Sequence, residues 1–288
     1  MKLGRGRVAG ALLGLIASAC SPLKVFNAVM PKDSGVRLIV RDAAFGPDPR
    51  QRLDVYAPMA RSATPRPIIV FFYGGSWNSG TKSGYSFVGR ALASRGYIVA
   101  IPDYRLVPQV HYPTFLEDNA TAVRWARSHA AEIGGDPDRL VLMGHSAGAY
   151  DAAMLALDPR WLGADRMAVK ALVGLAGPYD FLPFDGPVVQ QTFGGVADPV
   201  TTQPVHYVEP GDPPAFLATG DKDETVRPAN SDSLGAKLRA AGVPVERRSY
   251  PAVGHAGLVT AIAKPLRGRA PVLGDLTAFV NREVGSGH

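Results

Sequence analysis

The sequence predicts an α/β protein built on a mostly parallel central sheet with helices on both faces. Three observations carry that prediction. Short apolar runs alternate with helix-forming segments along most of the chain. One of those runs, PIIVFFY at residues 67–73, is apolar without a break, as a strand covered on both faces should be. A small-residue turn, GHSAG at residues 144–148, joins an apolar run directly to an alanine-rich one.

The elements follow in order. Strands are expected over residues 36–40, 52–56 and 67–73. Residues 83–95 read as a helix that Gly96 ends, because glycine takes the left-handed conformation of a helix C-cap at little cost. Residues 97–101 form the next strand. Residues 114–131 read as a helix closed by Gly134 and Gly135. A strand over 140–143 leads into a helix over 147–157, which is rich in good helix formers. Further strands fall at 171–175, 215–219 and 245–250, with helices at 229–241 and 275–284. Residues 176–215 are rich in proline and glycine with weak periodicity, which predicts loops and short turns and no large lid domain. Residues 34–288 therefore read as one domain.

The 288 residues are 46% hydrophobic and 19% charged, which suits a globular chain and argues against disorder. The formal charge of +6 is partly an N-terminal effect. Lys2, Arg5 and Arg7 supply three of those charges, and beyond them 28 basic residues face 25 acidic ones. The remaining basic residues are scattered without a long run, so nucleic acid is not an expected partner.

Residues 1–19 have the layout of a secretory signal: a positive start, an apolar segment over residues 8–16, then Ala17-Ser18-Ala19. Cys20 follows and is the only cysteine, so it has no disulfide partner within the chain. The segment resembles a bacterial lipoprotein signal, in which the cysteine receives lipid and becomes the first residue. It departs from that pattern at Ala17, where leucine is preferred. The expectation is lipidation at Cys20, residues 20–33 as a spacer, and a protein tethered to a membrane of the cell envelope. The alternative is an ordinary signal with an incidental cysteine.

Gly144-His145-Ser146-Ala147-Gly148 fits G-x-S-x-G between a predicted strand and a predicted helix, the setting of a nucleophile elbow. A serine hydroxyl needs a base. In this setting the partners come in the order serine, acid, histidine. Only His255 and His288 follow in that order, and His288 is the last residue. His255 sits in a glycine-flanked loop after the strand at 245–250. The acid belongs on the loop after 215–219, where Asp221, Asp223 and Glu224 compete; Asp180 and Asp185 follow an earlier strand. Acyl transfer also needs donors for the developing oxyanion. One is the N–H of Ala147, and the other belongs to the glycine pair in Tyr73-Gly74-Gly75-Ser76-Trp77.

YGGSW, DYRL at 103–106, GHSAG, GDKDETV at 220–226 and the Gly254-His255 pair stand in fixed order. Together they resemble the carboxylesterase and hormone-sensitive-lipase-like branches of the α/β-hydrolase family, from about Leu53 to the C-terminus. The resemblance implies the α/β-hydrolase fold and hydrolysis of small-molecule esters without metal or organic cofactor. It places the acid at Asp223 through the G-x-x-D-x-x-V loop, and the oxyanion donors at Gly75, Ser76 and Ala147. It departs at Tyr73, where the family usually has histidine, which leaves the subfamily and substrate open. Asp103 and Arg105 of DYRL are expected to form a structural ion pair behind the loop. Within the enzyme class, amide or formamide hydrolysis is the rival. From another class comes a binding protein that kept the fold, although such proteins typically lose the serine or the histidine.

Overall fold

The computed structural model describes residues 22–285. The expected signal segment, Cys20 and His288 lie outside the described residues. Strands β1 (Val36–Ala44), β2 (Arg52–Pro58), β3 (Arg66–Phe72), β4 (Ile98–Asp103), β5 (Gly135–His145), β6 (Val169–Leu175), β7 (Ala215–Gly220) and β8 (Val245–Tyr250) form one sheet. The order is β1-β2-β4-β3-β5-β6-β7-β8. β2 runs antiparallel to both β1 and β4, and every other pairing is parallel. All residues of β3 and β7 are buried, so both faces of the sheet are covered there, as the unbroken apolar run required.

The helices are α1 (Pro22–Val29), α2 (Ser86–Ala93), α3 (Thr114–Ser128), α4 (Ala130–Ile133), α5 (Ala147–Leu157), α6 (Pro159–Leu162), α7 (Pro187–Phe193), α8 (Ala229–Ala240), α9 (His255–Thr260) and α10 (Val272–Val284). α5 begins and ends where the residue preferences put it. The helix expected over 83–95 is instead a 3₁₀ turn (Lys82–Tyr85) followed by α2. The helix expected over 114–131 breaks at His129, whose backbone leaves helical values and whose ring stacks on Trp125 at 4.2 Å. Residues 176–215 hold α7 and two 3₁₀ turns, with no separate lid domain.

The segment expected to be a plain spacer contains α1, and this corrects the reading of residues 20–33. α1 is eight residues long, too short to hold as a helix without tertiary packing. Its identity comes from what it packs on. Phe26 meets Phe87 edge to face with ring centroids 5.3 Å apart. Asn27 is buried against the start of α2.

Because β3, β5, β6, β7 and β8 are parallel, their C-terminal ends open at one edge of the sheet. The loops after β3, β5, β7 and β8 therefore meet there, which is where open α/β sheets carry their sites.

Candidate active site

Ser146 follows β5 directly and precedes α5. Its backbone is left-handed at φ 57 and ψ −125, a conformation that costs about 1–3 kcal/mol for a residue with a side chain. Surrounding bonds hold it. The Ser146 N–H donates to the Leu175 carbonyl at 2.8 Å, and the Ser146 carbonyl accepts from Ala149 N–H at 2.9 Å. The motif glycines are required by space. A Cβ on Gly144 would lie 2.0 Å from the Gly148 carbonyl oxygen, and one on Gly148 would lie 2.1 Å from that of Phe72. The elbow can therefore form only where strand and helix approach without side chains.

His255 is the first residue of α9, where the sequence suggested an open loop. Its Nε2 lies 2.8 Å from Ser146 Oγ, and its Nδ1 lies 2.8 Å from Asp223 Oδ2. A carboxylate can only accept, so the Nδ1–H donates to Asp223 and Nε2 is left to accept the serine proton. The other Asp223 oxygen accepts from the N–H groups of Thr225 at 3.0 Å and Val226 at 2.9 Å. Asp223 is buried, whereas Asp221 and Glu224 are exposed. Of the three competing acids the structure brings only Asp223 to His255. His288 lies outside the described residues, and Asp180 bonds Ser233.

The loop after β3 passes against the nucleophile. A Cβ on Gly74 would lie 2.8 Å from Ser146 Cβ. Ser76 and Trp77 take left-handed conformations, φ 49 and φ 57, which turn the chain beside Ser146. The N–H groups of Gly75, Ser76 and Ala147 have no backbone acceptor among the described residues. Ala147 opens α5, so the positive end of that helix faces the same point.

Several supporting groups carried no signal in the sequence. Asp151 is fully buried in α5, where its carboxylate accepts from Trp77 Nε1 at 3.1 Å and Asn119 Nδ2 at 3.0 Å. Burial pushes this carboxyl well above the usual carboxylate range. The contact ties the glycine loop to α5 and α3. Tyr73, which stands where histidine was expected, is buried in a stack with Tyr104 at 4.8 Å and Tyr85 at 5.8 Å. Its hydroxyl accepts from Arg50 Nη2 at 2.8 Å. It buttresses the loop from behind and leaves the backbone donors untouched.

Asp103 and Arg105 do not pair with each other, which corrects the expectation for DYRL. Asp103 accepts from the Lys82 N–H at 2.7 Å and has Arg50 at 3.9 Å. Arg105 instead grips Asp118 of α3, with Nη2 to Oδ1 at 2.6 Å. Asp103 ends β4 and faces the 3₁₀ turn, and the chain then bends, so Arg105 meets a different element.

His145 lies beside His255, ring centroids 4.9 Å apart. Its Nε2–H donates to the His255 carbonyl at 3.2 Å, and its Nδ1 faces the Tyr85 hydroxyl at 3.4 Å. Burial, reinforced by His255, pushes its pKa down to about 3. His145 therefore stays neutral near pH 7. A charge on His255 would meet no second positive ring beside it.

The BD-FAE family model matches residues 53–238, more than half of the chain. The chain belongs to the BD-FAE family. The chain is 30% identical to Esterase LipC of Mycobacterium tuberculosis over 75% of its length and 59% of the relative's. It is 29% identical to a probable isoprenylcysteine alpha-carbonyl methylesterase of Oryza sativa subsp. japonica, over 85% of its length and 63% of the relative's. The chain thus spans less than two thirds of these curated relatives. A solved structure described as a truncated form of carbohydrate esterase from gut microbiota superposes with a TM-score of 0.78 at 21% identity, over 88% of this chain and 99% of that one. The fold is the α/β-hydrolase fold. Within the BD-FAE match lie the glycine loop, the elbow and Asp223, while His255 follows it.

Two cavities meet at Ser146. The smaller, about 200 Å³, is bounded by the glycine loop, Tyr85 and His255. The larger, about 640 Å³, is bounded by Trp77, Phe181, Phe184, Val189 and Val226. Among the described residues no group of His, Cys, Asp or Glu could hold a metal ion, and no helix is long and apolar enough to cross a membrane.

Proposed function

We propose that the protein is a serine carboxylesterase. Ser146 Oγ adds to the ester carbonyl as His255 Nε2 takes its proton. The N–H groups of Gly75, Ser76 and Ala147 meet the oxyanion. Collapse expels the alcohol, which takes the proton from His255 Nε2 and leaves an acyl-serine. Water then adds to the acyl-serine as His255 takes one of its protons; the carboxylic acid departs and Ser146 regains its hydrogen. Asp223 fixes the imidazole tautomer and stabilises its charged form.

The observation that carries this reading is the unbroken line of two 2.8 Å contacts, Asp223 to His255 to Ser146, ending at a strained serine in an open cavity. A binding protein would gain nothing from that strain. Relatives named as esterases support the same class.

Short acyl chains are the preferred substrates, because residues 176–215 contribute only short helices and turns over the site. Butyrate is expected to react at least about tenfold faster than palmitate as the p-nitrophenyl ester, in line with what a few misfitted methylenes cost. Faster palmitate hydrolysis, or activation at a lipid emulsion, would overturn the acyl preference. N-formylkynurenine turned over faster than every ester would move the enzyme to the amide class.

The same proposal includes tethering through lipid at Cys20. A buried methylene contributes about 0.8 kcal/mol and one chain holds only marginally, so stable anchoring takes more than one acyl chain. Wild type expressed in a bacterial host is expected in the membrane fraction, released by detergent. Cys20→Ala is expected to stay active and to leave that fraction or remain uncleaved. A soluble wild-type enzyme whose N-terminus lies beyond residue 20 would replace the anchor with an ordinary signal.

A further inference from the structure

α1 is fixed to the body at several points. Asn27 Nδ2 donates to the Ser83 carbonyl at 2.7 Å, while Asn27 Oδ1 accepts from the Ser86 hydroxyl at 2.9 Å and the Phe87 N–H at 3.0 Å. That side chain supplies the acceptor that the start of α2 otherwise lacks, since Tyr85 makes no side-chain cap there. Just beyond α1, Asp33 forms a two-bond ion pair with Arg267 at 2.8 and 2.7 Å. So anchored, α1 presents Leu23 to the smaller cavity beside Ser146.

The rest of that cavity gives little shape selection. Its boundary is largely glycine, serine and threonine, and its other bulky side chains are Tyr85, His145 and His255. Tyr85 and His145 are buried, and His255 is held between Ser146 and Asp223. Among the described residues that bound this space, Leu23 is the one large aliphatic side chain, half-buried against the core.

The chemistry decides which end of an ester enters. The departing alcohol oxygen must reach His255 Nε2 to receive its proton. His255 bounds the smaller cavity and not the larger. The alcohol therefore leaves through the 200 Å³ space, and the acyl group takes the 640 Å³ one. We propose that Leu23 determines specificity for the alcohol portion, and that the preferred substrates are esters of small alcohols. This rests on the esterase reading and adds the substrate class to it.

The test measures kcat/KM by pH-stat for methyl, butyl and octyl butyrate, and for methyl acetate and methyl octanoate. Wild type, Leu23→Ala and Leu23→Trp are compared. Wild type is expected to favour methyl over octyl butyrate. Leu23→Ala is expected to raise the octyl-to-methyl ratio about tenfold, and Leu23→Trp to lower the butyl-to-methyl ratio by a similar factor. The octanoate-to-acetate ratio is expected to stay within about twofold, as for a change remote from the acyl cavity. A shift confined to the acyl series would overturn the assignment of the two cavities. Unchanged ratios in both series, with wild-type activity on methyl butyrate, would overturn the role of Leu23 while leaving the esterase reading standing. A wild type inert on every ester would remove the esterase reading and this inference with it.

Discussion

Ser146→Ala is expected to lower ester turnover about 10⁴- to 10⁶-fold while the protein stays folded. The size of the loss follows from the site's construction. Among the described residues His255 has no other hydroxyl placed at hydrogen-bond distance, since its Nε2 meets Ser146 Oγ and its Nδ1 meets Asp223. What remains is oxyanion stabilisation and binding, which in serine hydrolases keep about 10³- to 10⁴-fold over the reaction in water. The fold is expected to survive because the bonds that hold the elbow are made by the backbone of Ser146, not by Oγ. Alanine at φ 57 carries the same steric cost as serine, so the strain is unchanged. The measurement pairs kcat/KM on p-nitrophenyl butyrate with near-UV circular dichroism, on protein purified free of host esterase. Activity within tenfold of wild type would end the nucleophile assignment.

The parts of this site that were legible in the sequence are those whose causes are local. The glycines of GHSAG are demanded by contacts within five residues and the strand beside them, so their spacing survives as a motif. The order serine, acid, histidine then left His255 and His288, and His288 is the last residue. The choice among Asp221, Asp223 and Glu224 was not local in this sense. It depends on how the loop turns the N–H groups of Thr225 and Val226 onto one carboxylate; spacing left all three open, and only the resemblance to the G-x-x-D-x-x-V loop pointed to Asp223.

Other features were hidden because their partners are far away in the chain. Arg105 finds Asp118, and Asp103 finds Lys82 and Arg50, pairings that adjacency in DYRL could not suggest. His145 occupies the variable place of the motif, so its bond to the His255 carbonyl 110 residues away had no signal. α1 was hidden for a different reason: at eight residues it is too short to hold as a helix alone, and it is fixed by Asn27 and Phe26 against α2. Tertiary contact, not propensity, decided each of these.

Asp223→Asn is expected to lower kcat about 10⁴-fold, whereas Asp221→Asn is expected to leave it within about twofold. The contrast follows from hydrogen-bond polarity. Asp223 Oδ1 accepts from two backbone N–H groups, so an asparagine there must keep its carbonyl oxygen on that side. Its NH₂ group then points at His255 Nδ1, where it can only donate. The imidazole is forced to carry its hydrogen on Nε2, which faces Ser146 Oγ at 2.8 Å and can no longer accept the serine proton. Turning the amide over would set NH₂ against the two backbone donors in a buried place, leaving them unpaired. The wrong tautomer is therefore built in, with little room for escape. Asp221 is exposed, and its side chain makes no hydrogen bond to His255. Comparison of kcat for the two variants, each with its melting temperature, separates lost catalysis from lost fold. A larger loss for Asp221→Asn than for Asp223→Asn would show that a different carboxylate orients His255.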